Sequence, residues 1–218
     1  MNPFDALELR RARLRLPGFP TPVHLHRPPS VDALLERLDP ADPDAEQRIP
    51  YWAELWPSAV GLAAWLAAGG GPRRPGRALE LGCGLGLAGL VALRLGWDLE
   101  LADRDPEACA VAEANLRLNG LDPRRVRCLD WNDPPPVRYD TVLGADLLYE
   151  RAFAEPLVRW LDAALNARGR ALLVEPGRAV GAACVDALAA RFAVSERRLR
   201  ARVDDRWRPL RLVTLRRR

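Results

Sequence analysis

The chain has 218 residues, 49% of them hydrophobic, and carries 33 basic against 29 acidic side chains for a formal charge of +4. That length buries one substantial core and is short for two, and the longest apolar stretch, Ala59 to Gly71, falls below the ~18 to 20 residues of a membrane span. Every basic residue is arginine and isoleucine occurs only at Ile49, a composition bias that makes arginine content by itself weak evidence for a nucleic-acid partner.

Residues 1–10 mix acids with apolar side chains and show neither an h-region nor a small-residue cleavage site, so no export signal is expected. Cys83, Cys109, Cys128 and Cys184 are widely spaced, with no CxxC pair and no histidine at ligand spacing. Neither a metal site nor a disulfide framework is expected, and a reducing cytoplasm fits.

Residues 1–50 read as an N-terminal extension: β-like runs at Ala12 to Leu16 and Thr21 to His26 forming a hairpin, then a short helix from Val31 to Leu38 capped by Ser30. His24 and His26 alternate to one face of the second run and read as edge-strand residues rather than catalytic bases. Residues 51–218 read as a single domain. The Pro-rich stretch Asp39 to Pro50 delivers the chain to Tyr51-Trp-Ala-Glu-Leu-Trp-Pro57, and Val60, Leu62, Trp65 and Leu66 then recur at helical spacing with Pro57 in the first turn.

From Arg77 the pattern alternates. Strand candidates at Ala78 to Leu81, Leu99 to Ala102, Val126 to Leu129, Thr141 to Ala145 and Ala171 to Val174 are separated by helical segments, the signature of βαβ units building a parallel sheet with helices on both faces. Phe192 to Leu199 and Leu210 to Leu215 follow with only a polar loop between them, so an antiparallel pair closes the sheet. The fold class expected is α/β, a Rossmann-like, seven-stranded and mostly parallel sheet with an antiparallel C-terminal strand. Arginines are interleaved with acids until Arg197 to Arg218, which reads as a solvated face rather than a nucleic-acid surface.

The first strand ends in Glu80-Leu-Gly82-Cys83-Gly84-Leu-Gly86. Glycines after a strand let the backbone pass close to a ligand and present N–H groups at a helix start. Gly84-Leu-Gly86-Leu-Ala-Gly89 also matches a dinucleotide fingerprint, but it begins inside the turn rather than at the strand end, which is the wrong register. An acid beside the loop suits a sulfonium and an amino group better than a pyrophosphate. At the end of the second strand, Asp103 is placed to accept hydrogen bonds from ribose hydroxyls, while Asp105 before Pro106 reads as a helix N-cap. The next helix ends Asn115-Leu-Arg-Leu-Asn119-Gly120, where Asn119-Gly120 also reads as a helix stop. Asp130 and Trp131 close the third strand where an adenine amine and ring would lie. The fourth strand delivers Gly144-Ala145-Asp146-Leu-Leu-Tyr149.

The acid with GxGxG resembles motif I of the class I methyltransferases, and Asp146-x-x-Tyr149 resembles family 16 of that class, largely protein lysine methyltransferases. With Trp52-Ala-Glu54-Leu-Trp56-Pro before the core and Glu175-Pro-Gly-Arg178 after it, the pattern is most similar to the branch acting on the electron transfer flavoprotein β subunit and its bacterial relatives, over roughly residues 22 to 180. Those relatives tend to carry Asp where this chain has Glu175. The resemblance implies S-adenosylmethionine (SAM) as cofactor, with S-adenosylhomocysteine as product. Glu80, Gly82, Cys83, Gly84, Asp103, Asp130, Trp131, Ala145 and Trp56 would then hold the cofactor. Asp146 and Tyr149 would be catalytic, and Trp52 and Glu54 would wall the substrate entrance. A lysine of a protein, such as the electron transfer flavoprotein β subunit, is the expected acceptor. A small nicotinamide-like amine or RNA are the alternatives, and a SAM-binding module without turnover is the non-enzymatic one.

Overall fold

The chain opens with an antiparallel hairpin, β1 (Arg10–Leu14) and β2 (Val23–Arg27), followed by a single helical turn, α1 (Asp32–Leu35), whose Ala33 amide donates to the Ser30 hydroxyl at 3.1 Å. The structure, a computed structural model, describes residues 7–36 and 49–218. The start of the chain, the end of the expected Val31 to Leu38 helix and most of the Asp39 to Pro50 stretch lie outside those residues.

A 3-10 turn at Tyr51–Ala53 leads into α2 (Pro57–Ala67), where proline at the first position costs no hydrogen bond. There follow β3 (Arg77–Leu81), α3 (Leu87–Arg94), β4 (Asp98–Asp103), α4 (Pro106–Leu118), β5 (Val126–Cys128), β6 (Tyr139–Ala145), α5 (Ala154–Ala164), β7 (Leu165–Glu175), α6 (Ala179–Arg191), β8 (Phe192–Val203) and β9 (Arg206–Arg217). One seven-stranded sheet has the order β5-β4-β3-β6-β7-β9-β8; β3 to β7 are parallel and β9 runs antiparallel to both its neighbours.

Alternation along the strands divides the interior into two layers. Ala78, Leu143, Leu172 and Val174 face α2 and α3, whereas Leu79, Val142, Ala171 and Leu173 face α5 and α6. The chain winds outward from β3 through β4 to β5, then returns to β6 on the other side of β3. Their carboxyl ends therefore flank a topological switch point, where open α/β sheets hold ligands.

The hairpin is fastened to α4 by two amide side chains. Asn119 accepts from the His24 amide and donates to its carbonyl, and Asn115 does the same for His26, with distances from 2.5 to 3.1 Å. Four helical residues rise about 6 Å and two strand residues about 6.6 Å, so asparagines one turn apart match alternate residues of a strand. This spacing gives the Asn115-x-x-x-Asn119 run a reason beyond ending the helix.

The polar stretch between the last two strands is not a loop. β8 and β9 pair from Phe192↔Arg217 to Val203↔Arg206, leaving only Asp204 and Asp205, with φ of 48° and 59°, as a tight turn. Both positions need φ above zero, which aspartate tolerates better than most residues. The exposed arginines obscured the strand pattern.

Candidate active site

The glycine loop between β3 and α3 takes positive φ at alternate residues: Gly82 62°, Gly84 50° and Gly86 76°. A Cβ on Gly84 would lie 3.0 Å from the Trp52 carbonyl oxygen, so glycine is what lets the 3-10 turn lie over the loop. Trp52 is buried with Leu34, Leu85 and Val111, which places it on the glycine-loop side of the site.

Asp103 ends β4 and is buried. Its Oδ2 accepts the Gly84 amide at 2.8 Å and its Oδ1 the Asp105 amide at 3.1 Å, fixing the carboxylate with lone pairs to spare. Burial raises its pKa, opposed by those amides. Asp105 caps α4 through the Glu107 amide at 2.8 Å, with Pro106 in the first position. Glu80 is 2% exposed and turns its Oε2 to the Gly89 amide at 2.7 Å, in the first turn of α3. Burial pushes its carboxyl up to about 8. A Cβ on Gly89 would lie 2.5 Å from that oxygen, so the last glycine of the dinucleotide-like match makes room for an acid.

The other side of the site is built around Asp146, which follows β6 with φ of 58° and is buried. Its amide continues the ladder to Val174, and its Oδ2 accepts from the Ser58 hydroxyl, at the start of α2, at 3.0 Å. Arg178, just before α6, brings Nη1 to 3.5 Å from Oδ1 while its guanidinium lies 5.8 Å from the centre of the Trp56 ring. Burial raises the Asp146 pKa and Arg178 and Ser58 lower it, in that order. Trp56, Tyr51, Tyr149, Phe153 and Trp131 form a continuous row of rings with centroids 5.1 to 6.3 Å apart. Burial pushes the Tyr149 hydroxyl up to about 12, so it remains a donor at neutral pH.

One cavity of about 810 Å³ joins these parts, and every residue given a cofactor, catalytic or substrate role in the sequence lines it: Trp52, Glu54, Trp56, Glu80, Gly82, Cys83, Gly84, Asp103, Asp130, Trp131, Ala145, Asp146 and Tyr149. Asp130 sits at its edge with Oδ1 held by the Asn132 amide at 2.9 Å. Glu175 is not in the lining. It is buried, pairs with Arg211 and accepts the Gly177 amide at 2.7 Å, so its exchange for aspartate concerns the joint between β7 and β9. Sequence reasoning left Ser58, Tyr51 and Phe153 without a part and quoted Arg178 without assigning one. A buried serine one residue into a helix beside a strand-end acid is a signal visible only once α2 is placed against β6. Among the described residues no cluster of His, Cys, Asp and Glu is arranged to hold a metal, and no helix is long and apolar enough to cross a membrane.

The donor set fits SAM. Asp103 suits a ribose diol, Asp130 and Trp131 an adenine, and the buried acid Glu80 a cationic amino-acid end, whereas it would disfavour a pyrophosphate. This sheet order, with a glycine loop at the switch point and an acid ending the next strand, is that of a class I methyltransferase. Residues 47–179 match the lysine methyltransferase family, and the chain belongs to it. It is 34% identical over 134 residues to the electron transfer flavoprotein β subunit lysine methyltransferase of Danio rerio, covering 60% of this chain and 51% of the relative. It is 35% identical over 124 residues to the protein N-lysine methyltransferase METTL21A of Danio rerio, covering 53% and 56%. The chain spans about half the length of the curated relatives it matches. The magnesium protoporphyrin IX methyltransferase of Synechocystis PCC 6803, solved with bound SAM, superposes with a TM-score of 0.57 at 16% identity over 85% of this chain and 89% of that one, a likeness of fold.

Proposed function

We propose that the chain is a SAM-dependent protein-lysine N-methyltransferase, with the electron transfer flavoprotein β subunit as a substrate to test first. The observation that carries it is the pairing of two acidic ends in one cavity: Asp103 and Glu80 at the glycine loop, and Asp146 beneath the aromatic row. The first end suits the cofactor and the second an incoming amine. The names of the relatives, both protein lysine methyltransferases, support a protein acceptor.

When bound, SAM supplies a methyl group on a sulfonium. Asp103 would hold the ribose, Glu80 the amino-acid end, and Asp130 and Trp131 the adenine. Asp146 draws a lysine ammonium into the aromatic row and aims it, so that positioning contributes most of the rate. An ammonium of ordinary pKa ~10.4 must lose its proton before attack, and a lone carboxylate would hold that proton on. Two features oppose this. The rings shield the amine from water, and Arg178 places a positive charge 3.5 Å from the same carboxylate. Tyr149, still protonated, would be available to donate a hydrogen bond in the acceptor channel.

The test is transfer of tritium from methyl-labelled SAM to the purified electron transfer flavoprotein β subunit and, in parallel, to total protein from a lysate. Label on lysine of the flavoprotein subunit supports the full reading. Label on other proteins keeps the lysine acceptor and replaces the substrate, and no protein label at all argues against the reading.

A further inference from the structure

We propose that the β8–β9 hairpin is a docking arm that takes an acidic protein surface beside the target lysine; that the docked protein is the methyl acceptor rests on the function proposed above. The register places the arm. β7 ends at Glu175, opposite Arg211 of β9, so the pairs Leu199↔Leu210 through Val203↔Arg206 continue past the carboxyl edge of the parallel sheet. At ~3.3 Å per residue that overhang reaches roughly 15 Å. It projects from the same edge that opens the cavity. β9 stands two strands from β6, which carries Asp146, or about 10 Å across the sheet. A folded protein that presents a lysine to Asp146 therefore covers the arm as well.

The two faces of the arm differ. Leu199, Ala201 and Leu210 pack on α2, where Gly61 gives Leu210 its room. The opposite face is covered near its base, where Phe192 and Val213 lie in the core layer of α5 and α6, and is bare beyond. There Arg198, Arg200, Arg202 and Trp207 are exposed, Trp207 at 57%, with the Arg200 guanidinium 4.5 Å from the centre of its ring. A stacked guanidinium is held in place yet keeps its in-plane donors for a carboxylate, and an exposed tryptophan beside arginines has the composition of an interface centre. The stripe is not uniformly basic. Asp205, its side chain 94% exposed, pairs with Arg202 at the tip, and Glu196 pairs with Arg211 at the base. A phosphate backbone laid along the arm would meet these carboxylates, whereas a protein surface with clustered acids can avoid them. The arm also lies outside the residues that match the family, 47–179.

The test compares Arg198→Glu/Arg200→Glu/Arg202→Glu with a control, Arg10→Glu/Arg11→Glu/Arg13→Glu, which reverses three exposed arginines on β1. Fluorescent poly-L-glutamate is titrated at low and physiological salt, with single-stranded RNA of equal charge as competitor. The arm variant is expected to bind poly-L-glutamate about tenfold more weakly and to lose most of the salt dependence, with the control within about twofold of the parent. Trp207→Ala, which changes no charge, is expected to weaken binding severalfold. Equal losses in arm variant and control, or no loss in either, overturn the proposal. RNA that outcompetes poly-L-glutamate only when the arm is intact overturns it in favour of a nucleic-acid surface. Label transfer from tritiated SAM to lysate protein separates the two readings: it falls in the arm variant with SAM affinity unchanged if both hold. If the parent transfers no label, the methyltransferase reading fails, while the poly-L-glutamate titration still judges the arm.

Discussion

Asp103 and Gly84, nineteen residues apart, are joined by a 2.8 Å hydrogen bond from the glycine amide to Oδ2 of the carboxylate. The acid proposed to hold the ribose therefore also holds the glycine loop in shape. Asp103→Ala removes the ribose acceptor and leaves the Gly84 amide without its partner. SAM affinity is expected to fall by roughly 10- to 100-fold, or about 1.5–3 kcal/mol, by calorimetry. An unchanged affinity would show that the ribose lies elsewhere.

Glu80 makes both stability and cofactor binding depend on pH. Its folded-state pKa is raised from 4.5 to about 8, so its stabilising effect is complete below 4.5, declines as the unfolded chain ionises while the folded one stays protonated, and is lost above about 8. A cationic ligand favours the ionised form, so if SAM's amino-acid end lies at Glu80 as proposed, its binding below pH 8 would expel a proton from this group. Calorimetry in two buffers of different ionisation enthalpy is expected to detect that release, and Glu80→Gln to abolish it. The same release in both proteins would assign the proton to another group.

At Gly82 a Cβ would lie 2.5 Å from Leu147 Cδ2, at a φ of 62° that β-branched residues avoid. Leu147 directly follows Asp146, so the strain falls on both ends of the site. Gly82→Val is expected to cost about 2–4 kcal/mol in urea unfolding and to weaken SAM binding.

Asn115 is fully buried and donates to the carbonyls of His26 and Leu85 as well as accepting from the His26 amide. One side chain thus links hairpin, α4 and glycine loop. Asn115→Ala should lower stability by about 1–3 kcal/mol and loosen the hairpin first, visible as faster amide exchange at His24 and His26 than at Leu79. Uniform exchange would mean that the hairpin and the sheet open together.

Arg178 places a positive charge 3.5 Å from Asp146, and in the proposed function that charge eases loss of the acceptor's proton. Arg178→Gln is expected to leave SAM affinity within about twofold while shifting the rising limb of the pH–rate profile to higher pH, because the amine then holds its proton longer beside Asp146. A profile parallel to the parent's would reduce Arg178 to a structural partner of Trp56.

Much of this was legible from residue order alone. The inner parallel strands β3 and β6 are largely apolar and buried, and the acids and aromatics at the strand ends converge because parallel strands share one carboxyl edge. What stayed hidden depends on tertiary neighbours. Ser58 and Arg178, 88 and 32 residues from Asp146 along the chain, meet it only once the sheet is assembled. Residues 200–209 read as a polar loop in the sequence because their exposed arginines mask the alternation that turns Leu199, Ala201 and Leu210 toward α2. The sequence offers Glu80 only as a candidate cofactor ligand; that it caps α3 through Gly89 shows only in the folded chain.

The central claim is methyl transfer to lysine through Asp146. Mass spectrometry of proteins incubated with the chain and deuterated-methyl SAM tests it most directly, run with the parent and with Asp146→Ala. A deuterated methyl on lysine side-chain nitrogen of a protein acceptor is expected, lost in Asp146→Ala although that variant still binds SAM. Label confined to RNA or a small amine, or undiminished transfer by Asp146→Ala, would contradict it.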